Sequence, residues 1–213
     1  PESLITIGKY AFHECSGFEG ELFLSDNITS IGWSAFENCA GFTGNLKLPA
    51  QLEVISMSAF ERCSGFDGTL TLPTALKIIG PNAFADCEKL IGPPIFPATL
   101  TTIEYNAFAG CRSFTGELII PTTINELHGG VFAGCEGFTK LTLHEGITAI
   151  GENAFIYCTG LEGKLNLPSN LTHIGAFAFH ECSNITDVVV FPITLEYIGE
   201  EAFNGCARVS AFR

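Results

Sequence analysis

The chain repeats one pattern of apolar and polar positions every 24 residues, and residues 49–72 show it in full. Three apolar patterns follow one another there. Leu70-x-Leu72 has a period of two, which predicts a short strand with both leucines on one side. Its counterparts are Leu22/Leu24, Leu46/Leu48, Leu118/Ile120, Leu141/Leu143, Leu165/Leu167 and Val189/Phe191. The next column holds Pro49, Pro73, Pro97, Pro121, Pro168 and Pro192, with Ser25 and His144 as exceptions. Proline has no N–H to give a ladder, so the strand ends there. Leu52-x-x-Ile55 comes next, followed by a column that is mostly glycine: Gly8, Gly32, Gly80, Gly151, Gly175 and Gly199. Ser56, Glu104 and His128 fill it elsewhere. A strict demand for positive φ would exclude Glu104, so a turn with more than one backbone shape is expected. Last comes Ala59-Phe60-x-x-Cys63, whose spacing predicts one short α or 3₁₀ turn with all three side chains on one side. Phe66 begins the return to the next strand, with Gly65 and Gly68 allowing the bend.

The Phe-x-x-Cys core occurs nine times, at Phe12/Cys15, Phe36/Cys39, Phe60/Cys63, Phe84/Cys87, Phe108/Cys111, Phe132/Cys135, Phe155/Cys158, Phe179/Cys182 and Phe203/Cys206. Every step is 24 residues except Phe132 to Phe155, which is 23. A fixed period of this length marks a stacked repeat architecture in which each coil touches mainly its neighbours. Residues 1–213 therefore read as a single solenoid domain of about nine repeats of 23–24 residues. Neither end carries a recognisable polar cap, and the chain opens at Pro1 inside a repeat, so a preceding segment is expected. One coil cannot bury its own apolar columns. They are buried when coils stack, phenylalanine on phenylalanine and cysteine on cysteine, with parallel strands side by side along one face.

Composition narrows the function. The chain is 46% apolar, with 19 phenylalanines, which is ample for a continuous core. A net charge of −13 argues against duplex nucleic acid and against anionic lipid surfaces, both of which need clustered cations. No run of about 18 apolar residues predicts a membrane span, and no signal peptide is visible. The nine cysteines share one column and are odd in number, so they read as buried thiols acting as small hydrophobes and do not set the redox compartment. His13 and His180 lie seven repeats apart, roughly 34 Å at strand spacing, too far to share a metal. His144 and His173 read as surface residues. No zinc-binding spacing, phosphate loop, triad or dyad rises above the repeat, so no metal, cofactor or catalytic residue is expected. Glu14, Glu19, Glu21, Glu200 and Glu201 read as solvated faces. Asn27, Asn170 and Asn184 sit in Asn-x-Thr sequons, which matter only after eukaryotic secretion.

The motif Leu-x-Leu-Pro-x-x-Leu-x-x-Ile-Gly-x-x-Ala-Phe-x-x-Cys resembles the leucine-rich repeats of the BspA-like, or Treponema pallidum-type, family over the whole chain. Most repeats of that family are 23 residues. Here an extra residue in Phe-x-Gly-x-Leu gives 24, and the Lys140 repeat lacks it. The resemblance implies a leucine-rich-repeat solenoid: a curved right-handed coil with a parallel β-sheet on the concave face and short strands, turns or helical turns on the convex face. It also implies bacterial or protist proteins, secreted or at the cell surface, that bind host proteins or neighbouring cells, and no catalytic motif.

The residue between the two strand leucines must face away from the core. That column, Phe23, Lys47, Thr71, Ile95, Ile119, Thr142, Asn166 and Val190, is the candidate binding face. The column before it reads Glu21, Asn45, Thr69, Pro93, Glu117, Lys140, Lys164 and Val188. Four of the eight binding-face residues are large and apolar where a solvated sheet is normally polar. Ile95 and Ile119, on adjacent rungs, form a strip of the kind that marks an interaction site, although β-branched residues also simply favour strands. Tyr10, Trp33, Met57, Tyr105, Tyr157 and Phe177 read as occupying different columns in no regular stripe, mostly packed over gaps in the outer turns, with a second binding patch as the alternative. The expected function is a non-enzymatic, adhesin-like module whose partner is an extracellular-matrix or cell-surface protein. The alternative is a structural module that self-associates through its concave face or uncapped ends.

Overall fold

The computed structural model describes the whole chain, Pro1–Arg213. It is a solenoid of parallel coils with no helix, and it carries two separate ladders of short strands. The leucine ladder comprises Leu46–Lys47, Leu70–Thr71, Gly116–Ile119, Phe138–Thr142, Gly163–Lys164, Ile185–Val189 and Val209–Phe212. Its register pairs like with like, Leu46 with Leu70 and Leu118 with Leu141. It is interrupted at residues 93–96, where Pro93 and Pro94 offer no N–H to a neighbouring strand. It is interrupted again between Phe138–Thr142 and Gly163–Lys164, and on its other side Phe138–Thr142 pairs with Gly116–Ile119 through a register slip between Phe138 and Lys140, in the 23-residue repeat. The last step is short as well, since Val189 pairs with Phe212, 23 positions on, so the Lys140 repeat is not alone in its length.

The second ladder runs through the isoleucine column from Thr6–Ile7 to Tyr197–Ile198, with one two-residue strand in each of the nine coils. From Gly32 to Gly199 the glycines of this column lie close against the backbone of the preceding coil, and none adopts positive φ. A Cβ on Gly175 would stand 2.4 Å from the Glu152 nitrogen, and one on Gly199 2.2 Å from that of Ala176. Gly32, Gly80, Gly151, Gly175 and Gly199 each donate an N–H to the preceding coil's ladder carbonyl, at 2.7–2.9 Å. Where Ser56 and His128 replace glycine that bond is missing, and the sheet is interrupted beside both. The Ser56 hydroxyl fills the gap by donating to the Ile31 carbonyl at 2.6 Å. Glu104, by contrast, keeps the bond, to the Ile79 carbonyl at 2.9 Å.

The Ala-Phe-x-x-Cys segment is a chain of overlapping turns, where the spacing predicted one helical turn. In one coil, Ala35, Glu37 and Cys39 donate back three residues, while Ser34, Phe36 and Asn38 donate across to the next coil. A helix directs every amide along its own axis. Here alternate amides leave the coil, and the bonds between coils are gained at the expense of the helix. The arrangement requires left-handed backbone two residues before and two after each core phenylalanine, as at Ser34 (φ 51°) and Asn38 (φ 61°).

Eight phenylalanine-to-phenylalanine steps run from Phe12 to Phe203 with ring centroids 5.1–5.8 Å apart and planes within 18° of parallel. Val131 takes the alanine position once without disturbing the stack. The cysteines stack beside them, all free, and from Cys39 onward all are buried. Each of those eight thiols donates to the carbonyl of the preceding coil's phenylalanine, from 2.9 Å at Cys39 to 3.2 Å at Cys206. Cysteine is thus at once a small hydrophobe and a weak donor that occupies the second lone pair of a buried carbonyl. Burial raises the thiol pKa along the column, to about 11 at Cys39 and Cys206 and about 12 at Cys158.

Candidate binding face and family relationships

The outward residues of the leucine ladder are solvent-facing, with one exception. Phe23 and Ile95 are 84% and 81% exposed, and Ile119 and Val190 are 56% and 52% exposed. Lys47, Thr71 and Asn166 are exposed as well. Thr142 is half-buried, because its hydroxyl donates to Glu117 Oε1 at 2.5 Å. Lys140 Nζ lies 2.8 Å from the same oxygen. Hydrogen bonds from Lys140 and then Thr142 hold the Glu117 carboxyl below its usual range. Lys47 sits 3.8 Å from Asp26.

The eight residues do not form one patch. Ile95 and Ile119 line a common depression of about 220 Å³ with Pro93, Phe96, Glu117 and Pro121. Because Pro93 and Pro94 block strand formation on that rung, Ile95 lies within an interruption of the sheet and Ile119 on the strand beside it. Phe23 stands three rungs away, beside an apolar hollow lined by Leu22, Leu24 and Ile28. Val190 is three rungs away in the other direction, beside Asn166 and Pro192. Along the C-terminal rungs a wholly polar groove includes Lys140, Glu162, Asn184, Thr186 and Arg208. The face is therefore apolar at Ile95 and Ile119 and charged toward Arg208.

His144, in the proline column, bonds to the Ile124 carbonyl at 2.9 Å and accepts the Gly146 amide at 3.0 Å, so it serves as a structural spacer. His173 stacks on Tyr197 with centroids 4.4 Å apart. The sequon asparagines point their Nδ2 at the preceding coil: Asn27 to the Glu2 carbonyl, Asn170 to Glu145 and Asn184 to Thr159, at 2.7–2.8 Å. No group of three or more His, Cys, Asp or Glu side chains is placed to hold a metal ion. No helix is long and apolar enough to cross a membrane.

The outer side chains correct one expectation. Trp33, Met57 and Tyr105 share a single column, with Pro81 between the last two. Their carbonyls accept the amides of Tyr10, Ser34 and Asn82, and that of Pro81 the amide of Ser58, which are equivalent positions of successive coils. Counting one residue past the glycine column would have revealed the row. The substitutions Ser56 and Glu104 in that column obscured it.

Stacked parallel coils with a leucine ladder on one side and a phenylalanine–cysteine spine define a leucine-rich-repeat solenoid. The family described as BspA type leucine rich repeat region matches residues 1–115 and 91–210, and the chain belongs to it. Among solved structures, the chain resembles a leucine-rich repeat protein from Bacteroides ovatus, at 26% identity and a TM-score of 0.84 over 98% of this chain. That match spans 55% of the B. ovatus chain, about half its length. It also resembles the T. pallidum leucine-rich repeat protein, at 23% identity and a TM-score of 0.64 over 92% of this chain and 79% of that one. A leucine-rich repeat protein from Eubacterium ventriosum shares the fold at 15% identity and a TM-score of 0.57, over 96% of this chain and 68% of that one. A comparison with curated protein sequences finds no match.

Proposed function

We propose that this chain is a non-catalytic protein-binding module that works as an adhesin-like binder, secreted or at a cell surface, through its leucine-ladder face. Membership of a leucine-rich-repeat family, whose members are generally non-catalytic interaction modules, supports this reading. The observation that carries it is the exposed pair Ile95 and Ile119 around one depression, on a face where alternation should place polar side chains. Those isoleucines supply the apolar contact area. Further along the ladder on one side, Lys140, Lys164 and Arg208 add cations that suit an acidic segment of the partner. The partner class is an extracellular-matrix or cell-surface protein. The test measures binding to purified candidates of that class with the Ile95→Ser/Ile119→Ser double variant. Loss of binding with an unchanged unfolding midpoint is expected, whereas unchanged affinity removes the face from the account.

A further inference from the structure

A second apolar row lies on the outer flank and is not used by the binding reading above. The carbonyls of Trp33, Met57, Pro81, Tyr105 and Gly129 accept, in order, the amides of Tyr10, Ser34, Ser58, Asn82 and Asn106. That ladder places Lys9, Trp33, Met57, Pro81, Tyr105 and Gly129 at one position of six consecutive coils. Trp33, Met57 and Tyr105 are 46%, 38% and 56% exposed. Val54 and Ile78, three residues before Met57 and Pro81, are exposed too and widen the row at its middle. Three coil steps separate Trp33 from Tyr105, about 14 Å at parallel-strand spacing. Isolated apolar side chains on a surface need no explanation, but a contiguous row of Trp, Met and Tyr is the composition of a covered interface.

The charges at the two ends of the row are opposite. Lys9 rests its Nζ 3.8 Å from the centroid of the Trp33 ring and makes no salt bridge. At the far end Glu126, in the Gly129 coil, and Glu152, in the next, are exposed and also make none. The neighbouring Glu104 is already engaged, 3.5 Å from His128. A two-fold axis midway between Met57 and Pro81 turns this polarity into a match. It sets Met57 against Pro81 of a second copy, Trp33 against Tyr105, and Lys9 against the coil that carries Glu126, beside Glu152. A two-fold interface must be self-complementary in this way. A row with one charge sign at both ends would repel its own copy.

We propose that the outer flank from Lys9 to Glu152 is a homodimer interface, in which two copies of this chain pack antiparallel about a two-fold axis between Met57 and Pro81. The leucine-ladder faces of both copies are left free for other partners.

Trp33 is the sole tryptophan, so its emission reports this contact directly. Sedimentation of the full chain over a wide concentration range should show its mass doubling, with a blue shift of Trp33 emission over the same range. Met57→Glu, at the centre, should raise the dissociation constant more than about tenfold while leaving the unfolding midpoint of the dilute protein unchanged. Lys9→Glu alone and Glu152→Lys alone should each weaken the dimer, and the two together should restore it. A chain that stays monomeric at its highest soluble concentration overturns the proposal. So does a dimer indifferent to Met57→Glu, or one abolished by Ile95→Ser/Ile119→Ser, which would move the contact to the leucine-ladder face. Failure of the double charge reversal to restore association overturns the antiparallel arrangement.

Discussion

Phe108 stacks on Phe84 and Phe132 with centroids 5.3 and 5.7 Å away, and meets Phe96 and Phe114 at steeper angles. Phe108→Ala therefore opens a cavity walled by four rings and should cost about 3–5 kcal/mol in denaturant unfolding. The cysteine column gives a pH dependence with a definite sign. Folding raises these thiol pKa values, so the folded state holds protons that the unfolded state releases above about pH 8.5. Their stabilising contribution is complete below that pH and is lost as pH climbs toward about 11–12. The denaturant midpoint should be flat with respect to these groups at neutral pH and fall steeply on the alkaline side, less steeply in variants with cysteines replaced by alanine. The period alone revealed which residues stack. It could not reveal that each thiol bonds to a phenylalanine carbonyl, because the direction of that carbonyl is set by the turn chain.

The turn chain shows where local pattern and tertiary context compete. The spacing of Ala59, Phe60 and Cys63, with the cysteine four residues after the alanine and three after the phenylalanine, is equally compatible with a helical turn and with overlapping turns that bury the same side chains. The inter-coil hydrogen bonds decide the outcome, and they are invisible within one repeat. Left-handed positions filled by Ser, Asn or Gly fit the chemistry of such turns, but Arg62 sits at φ 57° and Phe177 at φ 56°. Arg62→Gly should raise stability by about 1 kcal/mol in chemical unfolding, since the left-handed conformation costs a bulky residue roughly that much. In the glycine column the opposite holds. Gly175→Ala drives a Cβ into the backbone of the preceding coil and should cost about 1–3 kcal/mol. The sequence showed that this column prefers glycine. The reason, close approach between coils, needed coordinates, and so did the second ladder that this approach completes.

At the scale of the whole molecule, the solenoid was legible because a 24-residue period sustained over nine coils permits few other ways to bury the recurring phenylalanine of the Phe-x-x-Cys core. The candidate binding column was legible as a column but not as a patch. Pro93 and Pro94 break the sheet at its apolar centre, and Thr142 is drawn down by Glu117, neither of which alternation encodes. The outer row from Trp33 to Tyr105 went unread because Ser56 and Glu104 disguise the column from which it could have been counted, and the ladder of carbonyls shows its members to be equivalent. The claim beneath all of this is nearest-neighbour stacking of like on like. A double-mutant cycle tests it most directly, with Phe84→Leu and Phe108→Leu on adjacent coils compared against Phe60→Leu and Phe108→Leu two coils apart. The account predicts a coupling energy of about 0.5–1.5 kcal/mol for the adjacent pair and near zero for the separated one. Equal coupling in both pairs, or none in the adjacent pair, would contradict it.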